Sequence, residues 1–309
     1  MGKKVVILCM SCNAEHFLKQ EEFIREYWFG KDIINGIDKD VDIYFYSASK
    51  DDKIHFNKRT HRIELPCDDS IHGTYEKTIK CFIALDKLGI EYDYIFRTNC
   101  STMINVYNLK LFIEQIKDDN KIYCGNLYAN RISSGPSPYD LYGLGKGLIL
   151  SKKWIERIVS KDVEEYVYLL ETEEQKKDVS LLKVDDNAIG FIINSWCRER
   201  GIDSNDIWFD YGMSPGFNSN FYKDESRDWI CSMVAIPFRT YGSDRTVEFA
   251  RGNFLWSIIR DRFVISDDYL NKLTEKQRVC VWYGNNMHIV ERDVYNKNKE
   301  NIEKILAKQ

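Results

Sequence analysis

The sequence lacks a long hydrophobic run and an excess of positive charge. A membrane-spanning helix needs about 18 or more consecutive apolar residues, whereas the apolar run near the N-terminus, VVILCM, has six residues. That run is also too short for a secretion signal. The formal net charge of −4 gives no positive field to hold nucleic acid by its phosphates. These absences predict a cytoplasmic protein with no transmembrane segment and no nucleic-acid partner, and they leave open attachment at the inner face of a membrane.

The cysteines and histidines do not indicate disulfides or a zinc site. Nine cysteines are an odd number, scattered over a chain that is large enough to fold without covalent cross-links. Cys9 and Cys12 have the spacing of a metal-binding pair, but no second pair matches it. The five histidines do not pair at ligand spacing. We therefore expect reduced thiols and no zinc.

The order of apolar patterns predicts one elaborated α/β domain. Buried strand-like runs alternate with helical patterns in the first half, which is typical of a mostly parallel sheet flanked by helices. Asn13 is a candidate cap for the first helix. The predicted strands are 3–10, 41–48, 61–66, the beginning of 92–105, and 121–126, and the predicted helices are 13–30, 74–89 and 105–119.

The second half is less regular. Residues 130–147 contain several glycine and proline turn signals and predict a loop, whereas 151–161 and 186–201 predict helices. The glycines at 143, 145 and 147 do not fit a dinucleotide-binding fingerprint, because an apolar run follows them instead of a helix. They allow the backbone to pass close to a ligand. We expect a domain at 1–220 and, at 221–309, an extension with a helical end that packs on it and completes the site.

Arg97 and the polar residues after it end a strand that is predicted to be central. Ligands bind outside the carboxyl ends of parallel strands in α/β sheets. A guanidinium there suits a phosphate, which it can grip through two hydrogen bonds. The alternative is a salt bridge to a neighbour such as Asp93 or Asp69.

Asp185 and Asp186 are adjacent carboxylates at the start of a predicted helix. The helix dipole favours carboxylates there, so simple capping is one interpretation. The other is that one carboxylate acts as a general base in a cleft, with its pKa raised by its neighbour. Further along, Arg239, Arg245 and Arg251 are either surface charges or part of a loop that grips a phosphate.

Five short segments give these features a common interpretation. They are IREYW at 24–28, DDSIHGTYEKTIKCFIAL at 68–85, FRTNCSTMIN at 96–105, YGLGKGLILSKKWIERI at 142–158 and VDDNAIG at 184–190. In this order they resemble motifs of the inverting glycosyltransferases of the β-1,3-galactosyltransferase and Fringe type, which have the GT-A fold. The resemblance covers about residues 5–200 and implies a Rossmann-like sheet, a nucleotide-sugar donor, and a glycan or glycolipid acceptor whose hydroxyl receives the sugar.

The resemblance also implies roles for individual residues. Asp186 matches the family's catalytic base and Asp185 its acidic neighbour. A lysine of the family corresponds to Lys77 or Lys80. The predicted donor-binding residues are Met10, Ser11, Asn13, Arg25, Tyr75, Lys77, Arg97, Thr98, Asn99, Ser101, Arg239 and Arg245, and the predicted acceptor-binding residues are Tyr142, Gly143 and Gly145.

The sequence departs from the family where the metal-binding carboxylates belong. Asn99, Cys100 and Ser101 replace the family's Asp-Asp-Asp, and an amide, a thiol and a hydroxyl are poor ligands for Mg²⁺ or Mn²⁺. The leaving diphosphate still needs positive charge, which Arg97 and the later arginines could supply. We therefore expect an inverting, metal-independent glycosyltransferase of polysaccharide biosynthesis that transfers a hexose or pentose and has no cofactor.

Three alternatives remain open from the sequence. An inactive protein of the same fold could bind a sugar nucleotide or a glycan without turnover. A retaining glycosyltransferase would give the acidic pair another role. A Rossmann-like nucleotide-binding protein is disfavoured, because no G-x-G-x-x-G follows the first strand.

Overall fold

The computed structural model describes most of the first 211 residues and short parts of the remainder. The described residues are 2–25, 40–125, 127–130, 140–143, 147–160, 183–211, 234–237, 278–283, 286–291 and 296–297. Several predicted features lie outside them, namely Gly145, Arg239, Arg245, Arg251 and most of the extension 221–309. The predicted domain boundary near residue 220 therefore stays a prediction.

Fourteen strands and five α-helices occur within these ranges. The strands are β1 (Val5–Met10), β2 (Val41–Ala48), β3 (His55–Asn57), β4 (Arg62–Leu65), β5 (Tyr94–Asn99), β6 (Thr102–Ile104), β7 (Ile122–Cys124), β8 (Leu127–Asn130), β9 (Asp140–Gly143), β10 (Leu148–Ser151), β11 (Trp208–Asp210), β12 (Ala235–Pro237), β13 (Arg278–Tyr283) and β14 (Asn286–Glu291). The helices are α1 (Glu15–Phe23), α2 (Thr74–Lys87), α3 (Val106–Gln115), α4 (Lys152–Val159) and α5 (Asp185–Glu199). None of these helices is long and apolar enough to cross a membrane.

Eight strands form the central sheet in the order β11, β7, β10, β5, β1, β2, β4 and β3. The neighbours β5 and β1, β1 and β2, β2 and β4, and β7 and β11 are parallel, whereas β10 is antiparallel to both its neighbours and β3 is antiparallel to β4. The predicted α/β class, with a mostly parallel central sheet flanked by helices, is confirmed. This topology is compatible with a Rossmann-like fold.

Helices cover both faces of the sheet, which explains why its central strands are apolar throughout. Side chains alternate between the faces along a strand, so Ile7 of β1 packs with Phe112 of α3 on one side. Leu8 packs on the other side with Phe82 of α2 and Trp154 of α4. Helix α5 joins this second layer.

Two local predictions are wrong. Asn13 does not cap α1, whose N-cap is Ala14, because the Asn13 amide donates to the Ala48 carbonyl and accepts from Arg62, both at 2.8 Å. Part of the predicted loop 130–147 is strand β9, which pairs with β8 in an antiparallel hairpin. Cross-strand hydrogen bonds thus impose extended structure on a short segment whose local sequence gave only turn signals.

The carboxyl ends of β1 and β5 lie side by side, since Met10 is in register with Asn99. Helix α5 brings its first turn towards this edge and packs closely against β9 at Gly190. A Cβ at Gly190 would lie 2.4 Å from the Tyr142 Cβ and 2.7 Å from the Leu141 carbonyl oxygen. The absence of a side chain at Gly190 therefore allows the helix and the strand to approach.

Gly190→Ala should lower the free energy of unfolding by about 1–3 kcal/mol, the usual cost of overpacking a core. Urea unfolding of the variant and the parent measures this difference. At an open helical position the same change stabilises by about 1 kcal/mol, so a gain in stability would contradict the close approach. The control is Gly201→Ala, where the new Cβ meets no atom within 4 Å and only the left-handed backbone at φ +64° resists substitution.

Candidate functional site

Arg97 is the centre of a buried polar cluster near the carboxyl edge of the sheet. It lies on β5 two residues after Ile95 and therefore points to the same face, towards α2 and α5. One guanidinium nitrogen, Nη2, forms an ion pair with Asp185 Oδ2, and Nη1 lies 3.5 Å from Asp186 Oδ1. Nε donates to the Tyr46 hydroxyl at 3.3 Å. The Arg97 side chain is only 4% exposed, so this cation is held inside the protein by the acidic pair.

Asp185 is buried in the interior, whereas Asp186 is partly exposed. The Asp185 side chain is 4% exposed and that of Asp186 is 21% exposed. Thr78 of α2 donates its hydroxyl to Asp185 Oδ2 at 3.3 Å, and the Asp185 backbone N–H donates to Thr74 Oγ1 at 3.3 Å. Tyr46 and Thr78 also share a hydrogen bond of 3.2 Å. These contacts fix the first turn of α5 against α2.

Burial and the neighbouring charges have opposite effects on the pKa values of Asp185 and Arg97. Burial raises the pKa of Asp185 to about 7, against the lowering effect of Arg97, and the charge of Asp186 adds to the rise. Burial alone would lower the pKa of Arg97, but the charge of Asp185 raises it above its ordinary value. Arg97 is therefore charged at every physiological pH, and burial makes Asp185 harder to ionise than an exposed aspartate.

These contacts support two of the interpretations drawn from the sequence, namely a salt bridge for Arg97 and a helix start at the acidic pair. Arg97 does form a salt bridge, but the expected partners Asp93 and Asp69 are wrong. Asp93 accepts from the Lys4 backbone N–H at 2.7 Å, and Asp69 pairs with Lys77. The two aspartates do open a helix, as predicted, and Asp185 binds a cation across the core as well.

The loop after β1 forms a second polar group around Asp69. Asp69 accepts hydrogen bonds from the backbone N–H groups of Asn13 at 2.8 Å and Ala48 at 3.3 Å, and from Lys77. Lys77 is buried and its Nζ also lies 3.4 Å from the carbonyl oxygen of Ser11. Lys80 instead pairs with Glu76 at 2.6 Å on the outer side of α2. Of the two candidate lysines, Lys77 is thus the one that lies at the predicted donor loop.

The polar residues at the tip of β5 bond to one another. Asn99 Oδ1 accepts from the Ser101 backbone N–H at 3.0 Å, from its hydroxyl at 2.8 Å, and from Thr102 Oγ1 at 3.3 Å. Cys100 is buried with its Sγ 3.6 Å from that of Cys9. The oxygen of Asn99 is committed and the neighbouring thiol points inward, so these residues do not fit the divalent cation of the GT-A family.

The other predicted site residues occupy separate positions. Arg25 lies over the ring of Phe45 and bonds to Glu21 at 3.2 Å, and it contacts neither aspartate of the acidic pair within the described residues. Tyr142 is half-buried in β9, and a Cβ at Gly143 would lie 2.5 Å from the Cys124 Cβ. Gly143 therefore has a packing role. The remaining positions, Met10, Ser11, Tyr75 and Thr98, surround the carboxyl edge, with Met10 Sδ 3.5 Å from Arg97 Nη2.

Sequence reasoning missed Tyr46 and Thr78, and it considered Asp69 only as a possible salt-bridge partner of Arg97. Tyr46 lies in an aromatic strand and Thr78 in an amphipathic helix, so local pattern gives neither residue a polar task. A prediction that β1 and β2 are neighbours would have indicated Tyr46, because the end of β2 lies beside the end of β1.

No protein-family model and no curated protein matches this chain. The function proposed below therefore depends on the geometry of the site and on the resemblance of its short motifs.

Arg97→Gln should destabilise the protein by about 3–5 kcal/mol near pH 8, because removal of one partner leaves the other charge buried. The loss should be smaller near pH 5. Burial already raises the pKa of Asp185 above its unfolded value of about 4 beside Arg97, and removal of the cation raises it further. At pH 5 the folded variant therefore keeps a proton that the unfolded chain has released. That stabilising proton is lost as the pH rises through the raised pKa.

Urea unfolding of Arg97→Gln and the parent at both pH values tests this dependence. Arg97→Lys is the matched control, since it keeps a positive charge but loses the forked geometry. An equal loss at the two pH values for Arg97→Gln would show that Asp185 is not the group that Arg97 compensates.

Proposed function

We propose that the chain is a nucleotide-sugar-dependent glycosyltransferase with a GT-A-like fold. It transfers a hexose or pentose to a hydroxyl of a glycan or glycolipid, with inversion and without a divalent cation. One observation carries the proposal: at the carboxyl edge of the sheet, a partly exposed Asp186 stands beside an Asp185 that Arg97 holds in the interior. The partly exposed carboxylate of such a pair can accept a proton from a ligand, and the buried carboxylate can hold the neighbouring arginine in position.

Asp186 is the general base in this mechanism. It takes the proton from the acceptor hydroxyl as that oxygen attacks the anomeric carbon of the donor sugar, and the bond from that carbon to the phosphate oxygen breaks. The leaving nucleoside diphosphate keeps the bonding electron pair. Asp185 is unsuited to this step because it is buried and engaged by Arg97 and Thr78. Its role is to position Arg97, which in turn faces Asp186.

The leaving diphosphate needs positive charge, and the two buried cations at this edge are already paired with carboxylates. Asp185 already compensates Arg97, and Asp69 compensates Lys77. A donor phosphate at Arg97 would therefore have to share the guanidinium with the acidic pair. Arg239 and Arg245, which lie outside the described residues, are the other cations proposed for this task. In this mechanism they stabilise the diphosphate, and the site depends on them more than on Arg97.

A second candidate function is binding of a sugar nucleotide or glycan without turnover. The observation that favours it is the 3.5 Å approach of Arg97 Nη1 to Asp186 Oδ1, because a carboxylate that is engaged by a facing guanidinium is less available to an acceptor hydroxyl. The two candidates differ in whether a donor is consumed.

Asp186→Asn should reduce sugar transfer by about 100-fold or more, the usual effect of losing a general base, and leave donor binding largely unchanged. A panel of sugar nucleotides is first screened for thermal stabilisation and hydrolysis, and the best donor is then used for transfer assays. The control is Asp86→Asn, which removes an exposed carboxylate from α2. Transfer at the parent rate by Asp186→Asn would refute the base assignment, and donor stabilisation without any consumption would favour the binding protein.

EDTA should leave the donor-dependent activity unchanged, and added Mn²⁺ should not increase it, because the oxygen of Asn99 is engaged by Ser101 and Thr102. The assay compares initial rates of donor consumption in untreated, EDTA-treated and Mn²⁺-supplemented protein. Activity that disappears with EDTA and returns with Mn²⁺ would overturn the metal-independent mechanism.

A further inference from the structure

A groove of about 810 Å³ lies beside β3 and the turn that leads into β4. It is separate from the acidic pair, because none of its lining residues belongs to β5 or α5. The lining residues are Lys50, Asp51, His55, Phe56, Asn57, Lys58, Arg59, Arg62 and Glu64. The volume falls within the usual range for small-molecule sites, about 300–1,000 Å³.

The groove is a positive region in a chain that is negative as a whole. Residues 50–59 hold four cationic side chains and two carboxylates, a local charge of +2 against −4 for the whole chain. Lys50, Lys58 and Arg59 are exposed, and within the described ranges no carboxylate pairs with any of them. The carboxylates of the lining have other contacts: Asp51 bonds to His55 at 2.7 Å, and Glu64 lies 3.5 Å from Arg62. Three cations are thus left to attract an anion.

The turn that presents two of these cations has a defined shape. Asn57 Oδ1 accepts from the backbone N–H groups of Arg59 at 3.0 Å and Thr60 at 3.2 Å. His61 closes the turn with φ +52°, a left-handed conformation that costs about 1–2 kcal/mol in a residue with a side chain. Its ring stacks on Tyr44 at 5.4 Å, and Nδ1 lies 3.0 Å from the Ile43 carbonyl oxygen. The backbone of Lys58 and Arg59 is thereby held in place before any ligand arrives.

Arg62 forms the wall between the groove and the loop after β1. Its Nη1 donates to both carboxylate oxygens of Glu21, at 2.9 and 3.0 Å, and its Nη2 donates to Asn13 Oδ1 and Ser47 Oγ, both at 2.8 Å. The charge of Arg62 is therefore compensated, and its role is structural. The charge available to a ligand comes from the three exposed cations.

We propose that this groove binds a small molecule through its phosphate group, with Lys50, Lys58 and Arg59 as the charged contacts. A guanidinium matches a phosphate through two parallel hydrogen bonds, and lysines add point charges. The half-buried Phe56 gives the groove one apolar wall, which suits a nucleoside or sugar attached to that phosphate. Inorganic phosphates and nucleotides share this chemistry. The site does not depend on glycosyl transfer at Asp186.

Calorimetric titration of the full chain at low ionic strength, with inorganic pyrophosphate and separately with ADP and UDP, tests the site. Saturable binding at millimolar concentration or below is expected. Lys58→Gln/Arg59→Gln should weaken it at least tenfold, and Lys50→Gln should weaken it independently. The matched control, Lys87→Gln/Lys117→Gln, removes the same charge from exposed positions outside the groove and should bind like the parent.

The outcomes separate this site from the proposed transferase site. Pyrophosphate binding that is as tight as nucleotide binding identifies an inorganic ligand, whereas tighter nucleotide binding identifies the nucleotide as the source of the phosphate. Asp186→Asn should retain groove binding whether or not the chain transfers sugar. The proposal is overturned if no probe binds, or if the Lys58 and Arg59 variant binds like the parent, since the phosphate would then lie elsewhere.

Discussion

The ion pair between Arg97 and Asp185 connects the parts of the structure that define the candidate site. It joins the end of β5 to the first turn of α5, and through Tyr46 and Thr78 it reaches β2 and α2. Each ion alone would pay a desolvation cost of several kcal/mol in the interior, so the loss of either partner would destabilise the packing of the strand against the helix. The position of Asp186 follows from this pair because it is the next residue on the helix.

The charges at the carboxyl edge have a consequence for the ligand. Arg97 and Lys77 face three carboxylates, those of Asp185, Asp186 and Asp69, and this group of five side chains has a net charge of −1. An anionic donor is therefore not attracted by the described edge alone. If the chain handles a nucleotide sugar, cations from the later part of the sequence have to complete the site. The polar edge as described is suited to hold and orient a proton acceptor.

Much of the fold could be predicted from local pattern. The strand at 41–48 and the helix from Thr74 were predicted closely because their apolar residues have clear periods, and Gly89 at φ +68° follows α2 as expected for a residue after a helix end. The start of α5 at Asp185 also agrees, since carboxylates favour that position. The position of Arg97 at a strand end could be predicted too. These features depend on neighbours in sequence.

The contacts across the core could not be predicted in this way. Arg97 and Asp186 are 89 positions apart, and nothing local to either residue indicates the other. The same holds for Asn13, whose amide bonds to residues 35 and 49 positions away instead of capping the helix beside it. Strand β9 was missed because its pairing with β8 across a glycine- and proline-rich segment overrides the local turn signals. The assignment of donor and acceptor residues is not tested by the fold and stays a prediction.

Gly190 fixes the position of helix α5 against β9, and with it the position of the acidic pair. Helix α5 meets β9 at that residue through backbone and Cβ atoms, which cannot change rotamer. Most helices rest on long side chains that adjust by small rotations when a neighbour changes, so their ends drift as sequences diverge. Here the helix rests on the main chain five residues from Asp185. The site can therefore keep its geometry while the side chains around it are replaced, and a change at Gly190 itself would shift both carboxylates together.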